Sequence, residues 1–203
     1  MMALNRWIQG NLLLLKVFLF LLCLLPFGFV LLGAFGLAGI NLGANPVEEI
    51  IHHLGRWGLR LLLITLAVTP VRQLTGLLAL TRLRRMLGLF VFFYVLMHFM
   101  AYAILDQGLL LSAIIEDILE RPYITLGITA LLMLVPLALT STRSMMRRMG
   151  RRWHKLHRLI YPISILGVWH FYWQVKKDIL EPLVYAAILA LLLGFRLWKK
   201  RLV

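Results

Sequence analysis

The chain contains a single cysteine, Cys23, and it lies inside an apolar run. An intrachain disulfide is therefore impossible, and so is a Cys-x-x-Cys redox pair. The chain also lacks a Gly-x-Gly-x-x-Gly fingerprint and any polar stretch long enough for a nucleotide-binding domain. These absences exclude a protein that carries its own nicotinamide-nucleotide site.

Charged residues are scarce, and most of them are basic. Only 15% of the residues are charged, against about a quarter in a soluble domain, whereas 62% are hydrophobic and the mean hydropathy is +0.88. This composition indicates an integral membrane protein. The net charge of +14 does not indicate a nucleic-acid partner, because the basic residues cluster at the ends of apolar runs, where they face membrane lipid.

Six apolar runs predict six transmembrane helices, since about 20 apolar residues are needed to cross a bilayer. They lie at about residues 12–33, 56–71, 86–105, 122–140, 155–175 and 179–197. The predicted fold class is an all-α membrane protein, a six-helix bundle that forms one integral membrane domain over residues 1–203. Pro26 and Gly28 are expected to bend the first span. No internal repeat is evident in the sequence.

The distribution of charge predicts the orientation of these spans. All eight acidic residues fall on one side of the membrane. The five basic residues on that side are Arg56, Arg60, Arg121, Lys176 and Lys177. The other seventeen basic residues lie on the opposite side, in the N-terminus, the 72–85 and 143–158 loops and the C-terminus. Lys and Arg mark the cytoplasmic face, so we expect both termini to be cytoplasmic.

Two histidines lie at equal depth inside predicted spans. His98 is thirteen residues beyond Arg85, and His170 is twelve beyond Arg158. At about 1.5 Å per residue, both lie roughly 18–20 Å from the cytoplasmic charges, in the outer half of a core about 30 Å thick. Two imidazoles at one depth on parallel helices suit the axial positions of a b-type haem. The alternative is that each histidine merely bonds to a backbone carbonyl or a hydroxyl group.

His157 is a third candidate, at the cytoplasmic end of its span. It precedes His170 by thirteen residues, about 20 Å along a helix, which suits a ligand of a second, stacked haem. On an ideal helix, however, the two side chains point about 140° apart, unless Pro162 shifts the phase. Span three offers Arg84 or Arg85 at the matching position. His157 is therefore predicted either to ligate a second haem or to contact a propionate, a quinone or a flavin.

The remaining histidines are predicted to be interfacial. His154 belongs to the cytoplasmic basic cluster, and its expected state is solvated. His52 and His53 lie just before span two on the outer side. Exposure at the interface is the main expectation for both, and a role at a docking or quinone site is the alternative.

Several stretches together resemble a known family. They are Arg84 to Gly88 with Leu96-Met97-His98 and Tyr102, Arg121 to Gly127, Leu139 to Thr142, Trp153 to Tyr161, and His170 to Trp173. Their order and spacing resemble the MsrQ family, the haem-binding membrane subunits of periplasmic methionine-sulfoxide reductase systems. That family belongs to the ferric-reductase-like membrane domains related to NADPH oxidases, and the similarity extends over nearly the whole chain.

The resemblance implies a function and a cofactor set. It implies a subunit of the bacterial inner membrane that passes electrons from the quinone pool, or from a flavin reductase, to a periplasmic molybdenum-containing partner. The partner would reduce methionine sulfoxide in oxidised proteins, so catalysis is expected on that separate chain. The resemblance implies one or two haem b groups at His98, His157 and His170, and also FMN, for which no residue is identified.

Two other classes of function compete with this one. A six-helix transporter or channel would use the intramembrane histidines as a proton relay. Such a protein would more naturally carry acids within its spans, broken helices or repeat symmetry, and none of these is evident in the sequence. The third possibility is a non-redox membrane anchor for a partner enzyme.

Overall fold

The computed structural model describes residues 2–175 and 177–201, and it is helical throughout these ranges apart from short connections. Lys176, one of the predicted outer basic residues, lies outside the described residues. The helices are α1 (Met2–Gly10), α2 (Leu12–Ala34), α3 (Pro46–Thr75), α4 (Arg84–Ala101), α5 (Leu111–Glu120), α6 (Pro122–Leu139), α7 (Arg143–Met149), α8 (Arg151–Leu156), α9 (Ile160–Gln174) and α10 (Leu180–Arg201). The predicted all-α class is confirmed.

The described backbone divides into two compact units, which meet in sequence at Leu109 and Leu110. In the first unit, α3 packs against α4. They run antiparallel, since Gly55 faces His98 while Gly58, further along α3, faces Val95. In the second unit, α6 packs against α9 in the same antiparallel manner, with Tyr123 beside His170 and Thr140 beside His157. Each unit is therefore built on one helical hairpin.

Local signals fix both ends of α3. The Asn45 side chain accepts a hydrogen bond from the Glu48 N–H (3.3 Å) and donates one to the Glu48 carboxylate (3.0 Å). The first of these bonds satisfies an N–H group that the helix itself leaves without a partner, and Pro46 suits the first helical position. At the other end, Gly76 adopts a left-handed conformation (φ 68°) that favours glycine. The helix thus begins ten residues before the predicted span 56–71.

Five of the described helical stretches are long and apolar enough to cross a membrane. They are Leu12–Ala34, Pro46–Thr75, Arg84–Asp106, Pro122–Leu139 and Leu180–Trp198. The last turn of the third, Tyr102–Asp106, is π-helical. The predicted span 155–175 is divided into α8, a 3₁₀ turn at His157–Leu159, and α9. Since α9 has 15 residues, its length is about 22 Å, shorter than the core, and six crossings stay a prediction.

The hydroxyl group of Tyr94 ties α4 to α2 at the proline of the first span. It donates to the Cys23 carbonyl (2.6 Å) and accepts from the Phe27 N–H (3.1 Å). These two groups lie four residues apart, so an undisturbed helix would pair them with each other. Pro26 stands between them and has no N–H of its own. Tyr94 is completely buried, so this bridge satisfies polar groups that water cannot reach.

We predict that Tyr94→Phe destabilises the protein by about 1–2 kcal/mol, because it removes two hydrogen bonds from a buried site. Unfolding in detergent, followed by circular dichroism, measures the change. Tyr172→Phe is the control, since Tyr172 is exposed and should unfold as the wild type does. Equal stability of all three proteins would show that the bridge contributes nothing.

Candidate functional site

His98 of α4 is held against the backbone of α3. Its Nδ1 lies 2.8 Å from the carbonyl oxygen of Ile51. A carbonyl oxygen can only accept, so Nδ1 carries the proton and donates it. In the neutral ring, Nε2 then carries the lone pair. A histidine that donates one ring N–H to a backbone carbonyl is the usual arrangement for binding a metal through its other nitrogen.

His170 of α9 has the same arrangement in the second unit. Its Nδ1 donates to the carbonyl oxygen of Tyr123 in α6 at 2.6 Å, which again leaves the lone pair on Nε2. In both units the histidine follows its carbonyl partner by 47 residues. The two predicted haem ligands therefore occupy equivalent places in the two hairpins.

A glycine faces each histidine ring. A β-carbon placed on Gly55 would lie 3.0 Å from Nδ1 and 3.1 Å from Cε1 of His98. On Gly127 it would lie 3.0 Å from Nδ1 and 3.1 Å from Cε1 of His170. Each glycine follows the carbonyl-bearing residue by four positions, one helical turn. Each imidazole ring therefore packs against the backbone of the neighbouring helix, at a residue that has no side chain.

His157 is held differently, by side chains of its own unit. Its Nε2 lies 3.0 Å from Oγ1 of Thr140. The Thr140 hydroxyl donates its proton to the Pro136 carbonyl at 2.6 Å, so it accepts from His157, and Nε2 of His157 is the protonated nitrogen. Trp153 stacks on the imidazole at 3.9 Å and donates its indole N–H to the Thr140 carbonyl. His157 is therefore the opposite tautomer from His98 and His170.

The backbone between His157 and His170 departs from an ideal helix. The 3₁₀ turn at His157–Leu159 precedes Pro162, which removes the N–H that would otherwise pair with the Arg158 carbonyl. The departure from ideal helix geometry that Pro162 was expected to cause therefore lies at His157–Leu159.

The other three histidines, His52, His53 and His154, are not assigned to the haem site. His154 is exposed, as predicted. His52 and His53 are half-buried rather than exposed. The His53 ring stacks on Phe29 of α2 at 5.5 Å, so the expectation of exposure is wrong for this residue. Glu49 and Arg56 flank these two histidines on α3 and form an ion pair, with 2.9 Å between the guanidinium nitrogen and the carboxylate oxygen.

Haem fits the donor set of His98 and His170. Within residues 2–175 and 177–201, no three His, Cys, Asp or Glu side chains come together as a metal site. Haem iron needs no such cluster, because the porphyrin supplies four nitrogens and the protein supplies only axial ligands. A neutral imidazole with its lone pair on Nε2 is the required donor. His157 fits less well, since its Nε2 donates to Thr140.

Several residues of this site were not predicted. They are Ile51, Gly55, Tyr123, Gly127 and Thr140. Tyr123, Gly127 and Thr140 lie in the stretches that carry the family resemblance, but no role was assigned to any of them. One signal was available: Leu54-Gly55 precedes His98-Phe99 by the same interval that separates Leu126-Gly127 from His170-Phe171.

Comparison with known proteins gives a consistent result. Residues 54–168 match the family model described as ferric reductase like transmembrane component. A relative from Xanthomonas campestris pv. campestris (strain B100) is 61% identical over 159 residues, which are 78% of this chain and 73% of the relative. A relative from Rhodospirillum rubrum is 52% identical over 183 residues, or 90% and 86% of the two chains. Both are named protein-methionine-sulfoxide reductase heme-binding subunit MsrQ. No solved structure matches the chain.

Proposed function

The chain belongs to the ferric-reductase-like transmembrane family and to its MsrQ members, and from this premise we propose that it is the haem-binding electron-transfer subunit of a protein-methionine-sulfoxide reductase. The observation that carries the proposal is the pair of imidazoles, His98 and His170, each fixed as the tautomer with its lone pair on Nε2. A proton relay would need rings that exchange protons at both nitrogens, whereas a fixed tautomer serves a metal ligand.

His98 and His170 are the proposed axial ligands of haem b. When bound, haem iron alternates between the ferric and ferrous states and so carries one electron at a time. The chain contributes ligand orientation and tuning, because each Nδ1–H bond to a carbonyl oxygen raises the basicity of the imidazole. Their assignment to the same haem rests on their equal depth, counted from the cytoplasmic charges in the sequence.

His157 is proposed to serve electron input from the cytoplasmic side. A second haem ligated through Nε2 would require its bond to Thr140 to break. A quinol or a reduced flavin instead presents hydroxyl or N–H groups that can form a hydrogen bond with an imidazole. A quinol gives up two electrons and two protons, so its oxidation needs a nearby hydrogen-bond acceptor. FMN is proposed on the family resemblance alone, and we assign no residue to it.

The electron acceptor is proposed to lie on the periplasmic side of the bacterial inner membrane. The family resemblance supports a molybdenum-containing partner that reduces methionine sulfoxide, so this chain would not catalyse that reduction itself. The direction follows from charge, because the Lys- and Arg-rich segments, including α7 and α8, mark the cytoplasmic face. The acids Glu116, Asp117 and Glu120 of α5 lie on the predicted outer side.

We predict that His98→Ala and His170→Ala each remove the low-spin b-type absorption of the purified protein, because each variant lacks one axial nitrogen. Haem content per protein and the reduced-minus-oxidised spectrum measure the effect. His154→Ala is the control, since that residue is exposed and should leave both quantities unchanged. A full haem complement with an unaltered spectrum in either variant would disprove the assignment.

We predict that His157→Ala keeps the wild-type haem content but slows haem reduction by a quinol about three- to tenfold, which corresponds to the loss of one hydrogen bond of roughly 1 kcal/mol. Stopped-flow absorption with a reduced quinone analogue measures the rate, again with His154→Ala as control. Loss of one haem equivalent would instead identify His157 as a ligand of a second haem. Wild-type rate and content together would assign it no part in electron input.

We predict that a reporter enzyme that is active only in the periplasm is silent when fused after Arg148 and active when fused after Glu116. The first position belongs to the basic α7 and the second to the acidic α5, which charge places on opposite sides of the membrane. Activities of the two fusions, normalised to their protein levels, measure this difference. The reverse pattern would invert the orientation and the direction of electron flow.

A further inference from the structure

In each hairpin, the glycine that faces the histidine ring lies at the position that controls access to the carbonyl group to which the histidine donates. In an α-helix, the carbonyl oxygen of residue i−4 accepts the N–H of residue i, so the Ile51 oxygen belongs to the turn closed by Gly55. A side chain on a helix leans towards the N-terminus and covers the turn before its own α-carbon. A β-carbon at position 55 would therefore cover the Ile51 carbonyl.

The contact distances support this account in both units. The built β-carbon comes within 3.0 Å of Nδ1, the very atom that donates the hydrogen bond, at Gly55 and again at Gly127. A carbonyl oxygen has two lone pairs, so it can accept from the helix and from the imidazole together. The ring can reach it only where no side chain intervenes.

The same arrangement, in which a histidine donates to a carbonyl and faces the glycine one turn later, occurs in both hairpins. In the first it comprises Ile51, Gly55 and His98, and in the second it comprises Tyr123, Gly127 and His170. Three other glycines in the described helices lack it. Gly58 faces Val95 rather than a histidine, with a built β-carbon 3.1 Å from Cγ2, and Gly88 and Gly194 have nothing within 4 Å.

We propose that Gly55 and Gly127 are positioning residues for the haem-ligand imidazoles, in that their missing side chains let each ring donate its Nδ1–H to the carbonyl one turn earlier. This inference rests on the proposed function. An alanine at either position would crowd the ring by a few tenths of an ångström, and it would weaken the hydrogen bond from Nδ1. A weaker bond gives the imidazole less anionic character, which favours ferrous over ferric iron.

The test compares Gly55→Ala and Gly127→Ala with Gly58→Ala, Gly88→Ala and Gly194→Ala in purified, haem-loaded protein. Midpoint potential, low-spin electron paramagnetic resonance and haem affinity are measured. We expect the first two variants to shift the potential to more positive values and to alter the resonance, with haem affinity lower by about 10- to 100-fold, as is typical for loss of a partner behind a metal ligand. Gly58→Ala is the matched control, since it crowds the same helix pair without touching the histidine.

The outcomes separate the two proposals. A wild-type protein without haem would overturn the proposed function itself. A haem-loaded wild type whose Gly55→Ala and Gly127→Ala variants keep its potential and resonance would overturn only the positioning role. An equal shift in Gly58→Ala would also overturn it, by assigning the effect to general helix packing. The two hairpins are tested separately, and circular dichroism of the haem-free variants checks folding, so failure of one variant to fold leaves the other decisive.

Discussion

The hydrogen bond from an imidazole Nδ1–H to a helix carbonyl oxygen is the interaction on which the proposed haem site depends. It occurs once in each unit, at 2.8 Å for His98 and 2.6 Å for His170. An ionisable side chain inside a membrane is costly unless it stays neutral and satisfied. Burial in apolar surroundings favours the neutral imidazole, and the carbonyl satisfies its N–H. The same bond fixes the tautomer that the proposed haem site requires. Antiparallel packing of α3 with α4, and of α6 with α9, brings each carbonyl to its histidine.

The repeated arrangement of carbonyl, glycine and histidine bears on the choice between a haem protein and a transporter. Repeat symmetry, whose absence from the sequence counted against a transporter, is present in the local geometry of the two hairpins. The residues at the repeated position nevertheless favour the proposed haem site over a proton relay, since each is an imidazole that donates Nδ1–H to a backbone carbonyl. His157 shows the contrast. Its opposite tautomer and its contacts with Thr140 and Trp153 distinguish it from the two matched histidines.

Sequence reasoning correctly predicted the helical class and the family, because hydropathy and residue identity are local properties. It also singled out His98, His157 and His170 as candidate ligands, and that assignment stays a prediction. It did not find the partners of those histidines, since a backbone carbonyl has no side-chain signature and any residue can supply it. Ile51 and Tyr123 share nothing as residue types, so they gave no sign of the repeat, and the matching intervals from Leu-Gly to His-Phe were overlooked. The bridge from Tyr94 to α2 was missed for the same reason, although Pro26 marked the place. The 3₁₀ turn at His157–Leu159 was only partly anticipated, because a proline indicates a disturbance without saying which preceding residue absorbs it.

The central claim is that the protein binds haem through two neutral imidazoles. Near-infrared magnetic circular dichroism of the purified, oxidised wild-type protein tests it most directly, because the energy of the porphyrin-to-iron charge-transfer band reports the pair of axial ligands. We expect the band of a low-spin ferric haem with two neutral histidine ligands. A band typical of histidine–methionine or histidine–water ligation would contradict it, as would a protein that takes up no haem when haem is supplied in excess.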